Sequence, residues 1–82
     1  LSIKDLRFIN WRFIDQSPSG YMIYQNQNNT EAAMVDPRSG AILWIMDIAT
    51  KLPIYTNPNI KKYLRKNKGR KIDFDKMNIK QI

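Results

Sequence analysis

Six consecutive residues, Ala41-Ile42-Leu43-Trp44-Ile45-Met46, carry no charged or strongly polar side chain. Successive side chains of a strand point to opposite faces, so a strand apolar at every position is covered on both faces or sits at the centre of a sheet. By periodicity alone a helix from Ala41 to Lys51 would also accommodate the run, but the flanking turn and the Ile and Trp content favour a strand. That turn is Asp36-Pro37-Arg38-Ser39-Gly40. Asp stands at its first position, Pro fixes φ at the second, and Gly is available for the left-handed conformation before the next strand. The spine of the core is therefore expected over 41–47, joined by a tight turn to a strand over 30–35.

The remaining segments follow from alternation and turn chemistry. Leu6 to Asp15 alternates so that Ile9, Trp11 and Phe13 fall opposite Asn10 and Arg12, which predicts a first strand over 6–15. Ser17-Pro18-Ser19-Gly20 closes it, and Tyr21 to Gln25 makes a second strand that ends at Asn26-Gln27-Asn28-Asn29. Tyr21 and Tyr24 then lie on opposite faces. Leu52 to Tyr55 is expected to be extended, because Pro53 disfavours the helical region for the residue before it. Asn57 and Pro58 mark a helix start, with Ile60, Tyr63 and Leu64 on one face, and Gly69 can end the helix. The fold class expected is α+β: an antiparallel four-stranded β-meander followed by one C-terminal amphipathic basic helix over 58–67. Lys71 to Asp75 alternates again and offers a fifth, edge strand, while 76–82 is expected to fray. SH3-like and chromo-like sheets with a terminal helix are topological analogues.

Met34-Val35-Asp36-Pro37-Arg38-Ser39-Gly40-Ala41-Ile42-Leu43 resembles the strand, turn and strand hairpin that opens the transpeptidase domain of penicillin-binding proteins. The resemblance spans about ten residues and implies a hairpin alone. The Ser-x-x-Lys nucleophile motif of that family is absent, and no activity is carried over.

The 82 residues suit a single domain over 1–82. Cysteine and histidine are both absent, which removes disulfide staples, Cys-based zinc sites, the commonest general base and the commonest imidazole ligand. No cofactor is indicated, and the chain is expected not to be an enzyme. No stretch reaches the ~18–20 apolar residues of a transmembrane segment. The N-terminus lacks the apolar core of a signal peptide, so a cytoplasmic or other soluble location is expected.

The charge distribution carries the functional signal. Seven of the eleven residues from Lys61 to Lys71 are Lys or Arg with no acidic residue among them, matching the whole chain's net +7. Such a local field draws polyanions. The reading is a non-catalytic nucleic-acid-binding module or accessory subunit, with DNA or RNA as partner. Lys61, Lys62, Arg65, Lys66, Lys68, Arg70 and Lys71 grip backbone phosphates, while Tyr55 and Tyr63 offer stacking surface. A second reading is a protein-interaction or assembly domain, homo- or hetero-oligomeric, that uses an apolar sheet face or edge: Ala41 to Ile48 is interrupted only by Asp47 and can bury against another subunit, while the basic segment only steers association or keeps the protein soluble. A third reading is a small metal-dependent nuclease built on Asp73 and Asp75, which would share one face of a strand. Trp11 and Trp44 sit in apolar runs and are expected in the core.

Overall fold

The computed structural model describes residues 1–63. They form a mostly β structure, a single antiparallel sheet of five strands whose order in space is their order in sequence: β1 (Arg12–Gln16), β2 (Met22–Gln25), β3 (Glu31–Val35), β4 (Ile42–Asp47) and β5 (Pro53–Thr56). One turn of helix follows, α1 (Ile60–Tyr63). The expected four-strand meander is present, and it continues into a fifth strand where the sequence announces only extended chain. The edge strand considered over 71–75, the helix beyond Tyr63 and the tail over 76–82 lie outside the described residues.

The first three hairpins close by the chemistry their sequences carry. At the β1–β2 turn, Gly20 adopts φ 90° and donates its N–H to the Ser17 carbonyl at 2.8 Å, while Ser17 Oγ accepts from the Tyr21 amide at 3.0 Å. At the β2–β3 turn, Asn26 Oδ1 accepts from the Thr30 and Glu31 amides at 2.8 and 2.9 Å, and Asn29 takes φ 58°, a conformation asparagine tolerates. At the β3–β4 turn, Asp36 Oδ1 accepts from the Arg38 amide at 2.9 Å and Gly40 N–H donates to the Asp36 carbonyl at 2.8 Å.

β4 is the spine. Its residues from Ile42 to Met46 are buried, and Trp44 is 1% exposed. The pleat divides the core between two faces. On one, Tyr21, Ile23, Met34, Trp44 and Met46 cluster, and Ile60 and Tyr63 of α1 pack over them. On the other, Phe8, Ala33, Val35, Ile42 and Ile45 cluster with Trp11, Tyr24 and Tyr55 around them. The alternation of Ala32 and Met34 against Ala33 and Val35 along β3 places these clusters on opposite sides of the sheet.

The second face is covered by the N-terminal segment, and here the structure departs from expectation. Leu6–Phe8 is a 3₁₀ turn, and of the expected strand over 6–15 only 12–15 lies in β1, which runs on to Gln16. The expected inward stripe does not form, since Ile9 is 73% and Phe13 51% exposed. The reason is the length of the partner. β2 ends at Gln25, opposite Arg12, so residues before Arg12 have no strand to bond with. Their amides instead bond backward in turns, from Phe8 to Asp5, Ile9 to Leu6 and Trp11 to Phe8. Phe8 is thereby turned inward to 4% exposure, and its ring meets Trp11 edge-on at 5.0 Å.

Ser2 forms an isolated antiparallel bridge with Ala41, fixed by Ile3 N–H to the Gly40 carbonyl and Ile42 N–H to the Leu1 carbonyl. That bridge lies on the β5 side of β4, whereas β1 is the opposite edge of the sheet. The chain therefore crosses the whole second face before entering β1. The sheet is a layer between this crossing and α1, which explains a strand apolar on both sides in so short a chain.

Candidate functional site

α1 presents its cations outward. Ile60 and Tyr63 are partly buried against the sheet, while Lys61 and Lys62 between them are exposed, as spacing along a helix requires. The Lys62 ammonium also sits 5.8 Å from the centre of the Tyr63 ring. The helix is anchored at both ends of its single turn. Asn57 Oδ1 accepts from the Asn59 amide at 2.8 Å and its carbonyl accepts from Ile60 at 3.0 Å, a tight turn that delays the helix to Ile60, two residues past Pro58. At the other end, the Tyr21 hydroxyl donates to the Tyr63 carbonyl at 2.9 Å. Of the sequence-predicted cations, Lys61 and Lys62 lie on this helix. Arg65, Lys66, Lys68, Arg70 and Lys71 lie outside the described residues, as do Asp73 and Asp75.

Tyr55 is placed elsewhere. It stands opposite Ile45 in the β4–β5 pairing, and its ring joins the cluster on the face away from α1. Register carries one row of side chains across that face: Phe13 opposite Tyr24, Tyr24 opposite Ala33, Ala33 opposite Ile45 and Ile45 opposite Tyr55. Between the Ile45–Tyr55 end of this row and the N-terminal crossing opens a cleft of about 420 Å³. Its walls include Arg7, Phe8 and Trp11 from the crossing and Glu31, Ile45 and Tyr55 from the sheet. That volume falls within the ~300–1,000 Å³ of small-molecule sites.

The cleft combines apolar walls with two opposite charges. The Arg7 guanidinium lies 5.6 Å from the Phe8 ring centre, a cation–π arrangement that holds it at the rim. Glu31 is half-buried at the start of β3. Its cross-strand neighbour Asp47 is engaged elsewhere. Asp47 Oδ1 accepts from the Thr50 amide at 2.9 Å, and this bond, reinforced by the Thr50 hydroxyl and the Ala49 amide, holds its carboxyl below the usual range against a weaker opposing push from burial. Among the described residues no group of three or more His, Cys, Asp and Glu is placed to hold a metal ion, and no helix is long and apolar enough to cross a membrane.

Sequence reasoning misses the cleft because it reads 6–11 as strand. The available signal is Ser2-x-x-Asp5. Asp5 Oδ2 accepts from the Ser2 amide at 3.0 Å and Ser2 Oγ from the Lys4 amide at 3.2 Å, a reciprocal pattern that starts turns and helices. Trp44 is core as expected, whereas Trp11 packs on Phe8 and also lines the cleft. Comparison with protein-family models, with curated proteins and with solved structures gave no match to this chain.

Proposed function

We propose that the chain is a non-catalytic nucleic-acid-binding module that grips a phosphate backbone through the basic segment beginning on α1. The observation that carries this reading is the run of seven cations over 61–71, entered by a helical turn whose apolar side is docked and whose Lys61 and Lys62 are exposed. Lysines held on a docked element lose less freedom on meeting phosphates than lysines on a free tail, and each phosphate neutralised releases condensed counterions. Among the described residues β5 is an edge strand and leads through the Asn57 turn into α1, so a single strand of nucleic acid passing round that edge meets the lysines on one side and Tyr55 on the other. The lysines supply affinity without base preference.

The test is fluorescence anisotropy with labelled single- and double-stranded DNA and RNA at ~50 and ~200 mM salt. A protein that neutralises several phosphates weakens by orders of magnitude across that interval. Absence of binding to every probe at ~50 mM would dispose of the reading.

A second reading, assembly with another protein, is favoured by exposed apolar side chains at the sheet margins. Leu52, just before β5, and Ile54, within it, are 64% and 55% exposed, and Leu6 on the N-terminal crossing is 84% exposed. Since α1 and the N-terminal crossing cover the sheet faces, this reading uses the edges. It predicts salt-insensitive self-association at micromolar concentration in analytical ultracentrifugation.

A further inference from the structure

We propose that the cleft between the N-terminal crossing and the sheet receives a single unstacked guanine base, so that the module reads guanine in a single strand while α1 holds the backbone. The inference rests on the nucleic-acid reading and adds base preference to it. It starts from what lines the cleft. Half-buried Trp11 and Tyr55 supply aromatic surface, with the buried Phe8 packed on Trp11 and the buried Ile45 opposite Tyr55. Aromatic side chains stack on any base, so the rings alone favour an unstacked nucleobase without choosing which.

The two charged side chains make the choice. An ionised carboxylate only accepts hydrogen bonds, and a guanidinium only donates them. Glu31 therefore suits a base edge with adjacent donors, and Arg7 suits an edge with adjacent acceptors. Guanine presents N1–H and the N2 amino group side by side on its Watson–Crick edge, and O6 with N7 on its Hoogsteen edge, the pair that arginine takes bidentately. Adenine and cytosine set an amino donor next to an acceptor, and uracil and thymine set one N–H between two carbonyls. No other standard base matches a carboxylate on one edge and a guanidinium on the other. Glu31 is the carboxylate among the residues that line the cleft.

The test separates this inference from the reading beneath it. Tryptophan emission is followed during titration with the 5′-monophosphates of guanosine, adenosine, cytidine and uridine, which share one phosphate and differ in the base. Trp44 is 1% exposed, so a change in emission reports on Trp11, and Trp11→Phe should abolish it. Guanosine monophosphate is expected to bind about five- to one-hundred-fold more tightly than the others, the discrimination of one good bidentate pair. Glu31→Gln replaces half of the acceptor pair by a donor and should erase that preference. Equal affinities for the four nucleotides, or a guanine preference that survives Glu31→Gln, would overturn the inference. Oligothymidine, which contains no guanine, tests the phosphate grip separately: salt-dependent oligothymidine binding without guanine preference sinks the cleft and keeps the module. Guanine preference without oligothymidine binding sinks the phosphate grip and leaves a mononucleotide site.

Discussion

The side chain of Asn57 closes the end of the sheet by donating Nδ2–H to the main-chain carbonyl of Ile42 at 2.9 Å, in a buried position fifteen residues away in sequence. β5 stops at Thr56, and Asn57 N–H makes the last backbone bond across to the Leu43 carbonyl at 2.8 Å. One residue further down β4, the outward-facing groups of Ile42 would be left open. Its N–H is taken by the Leu1 carbonyl at 2.9 Å, and its carbonyl is taken by Asn57. A single asparagine thus joins the spine of the core to the turn that launches α1, since its Oδ1 accepts from Asn59.

Replacing Asn57 should therefore cost more than replacing an ordinary surface turn residue. Asn57→Ala leaves the Ile42 carbonyl buried without its partner and the Asn59 amide uncapped, with an expected loss of about 1–3 kcal/mol. Asn57→Asp keeps the acceptor for Asn59 but replaces the donor with a carboxylate facing a carbonyl, so it should be the worse variant at neutral pH and recover in acid. Urea unfolding at two pH values tests the ordering.

The Tyr21 hydroxyl ties α1 to the sheet through the Tyr63 carbonyl. Tyr21→Phe retains the buried ring and removes this bond. The expected cost is about 0.5–1.5 kcal/mol, located at the helix and little felt elsewhere in the sheet. Amide exchange should accelerate over 60–63 while the amides of β3 and β4 keep their protection. Uniform acceleration throughout would mean that α1 and the sheet open as one unit.

Much of this architecture is legible in the sequence because local chemistry and burial agree. Asp36 to Gly40 is a turn on turn chemistry alone, and the apolar run over 41–46 supplies β4, an interior strand with both faces buried. The turn at Asn57 and the inward Ile60 and Tyr63 agree with caps and spacing, although the helical turn begins at Ile60 and not at Pro58. Alternation fails at 6–11, since period two describes a strand only where a neighbour exists to pair with, and the length of β2 is a tertiary fact. The fifth strand reads only as extended because Pro53 cannot donate to a ladder, yet an edge position tolerates it. Of the candidate site, the cations are legible as composition, whereas the cleft joins residues from Arg7 to Tyr55 that no local pattern connects.

Exposed lysines on a docked helical turn should separate binding from stability. Lys61→Glu with Lys62→Glu is expected to weaken oligothymidine binding and to lower the slope of log affinity against log salt by about 0.7 for each phosphate that is no longer neutralised. Each exposed substitution should alter stability by no more than ~0.5 kcal/mol. Anisotropy titrations at several salt concentrations, paired with thermal unfolding, give both quantities. An unchanged slope would mean that these two lysines do not touch phosphate.

Asp47 gives the β4–β5 connection a dependence on pH. Hydrogen bonds from Thr50 and Ala49 lower its carboxyl below the ordinary value, so the folded state binds this proton less readily than the unfolded chain does. The associated stability is fully present above the unfolded value of ~3.9 and is lost as pH falls through the folded value. Asp47→Asn should accordingly flatten the acid limb of the stability curve below about pH 4, where the comparison is made by urea midpoints. Above that pH the variant should be the less stable of the two, and equal midpoints at every pH would separate this turn from acid unfolding.

Gly40 is held by conformation and by close approach at once, and the two can be separated. Its φ is +76°, and a Cβ added there would lie 3.3 Å from Ser2 Oγ, with Ile3 Cγ2 and Lys4 Cε at 3.7 Å. Gly40→Ala should cost about 1–2 kcal/mol from the left-handed backbone alone. The cost should be greater if Ser2 is pushed from its bridge with Ala41, because that bridge anchors the chain before it crosses the second face. Ser2→Ala in the Gly40→Ala background removes the crowded oxygen while leaving the strained φ. If crowding matters, the double variant is destabilised by less than the sum of the single variants, and the cycle yields the coupling. Strict additivity would assign the whole cost to the backbone and show that the start of the crossing yields to a methyl group without strain.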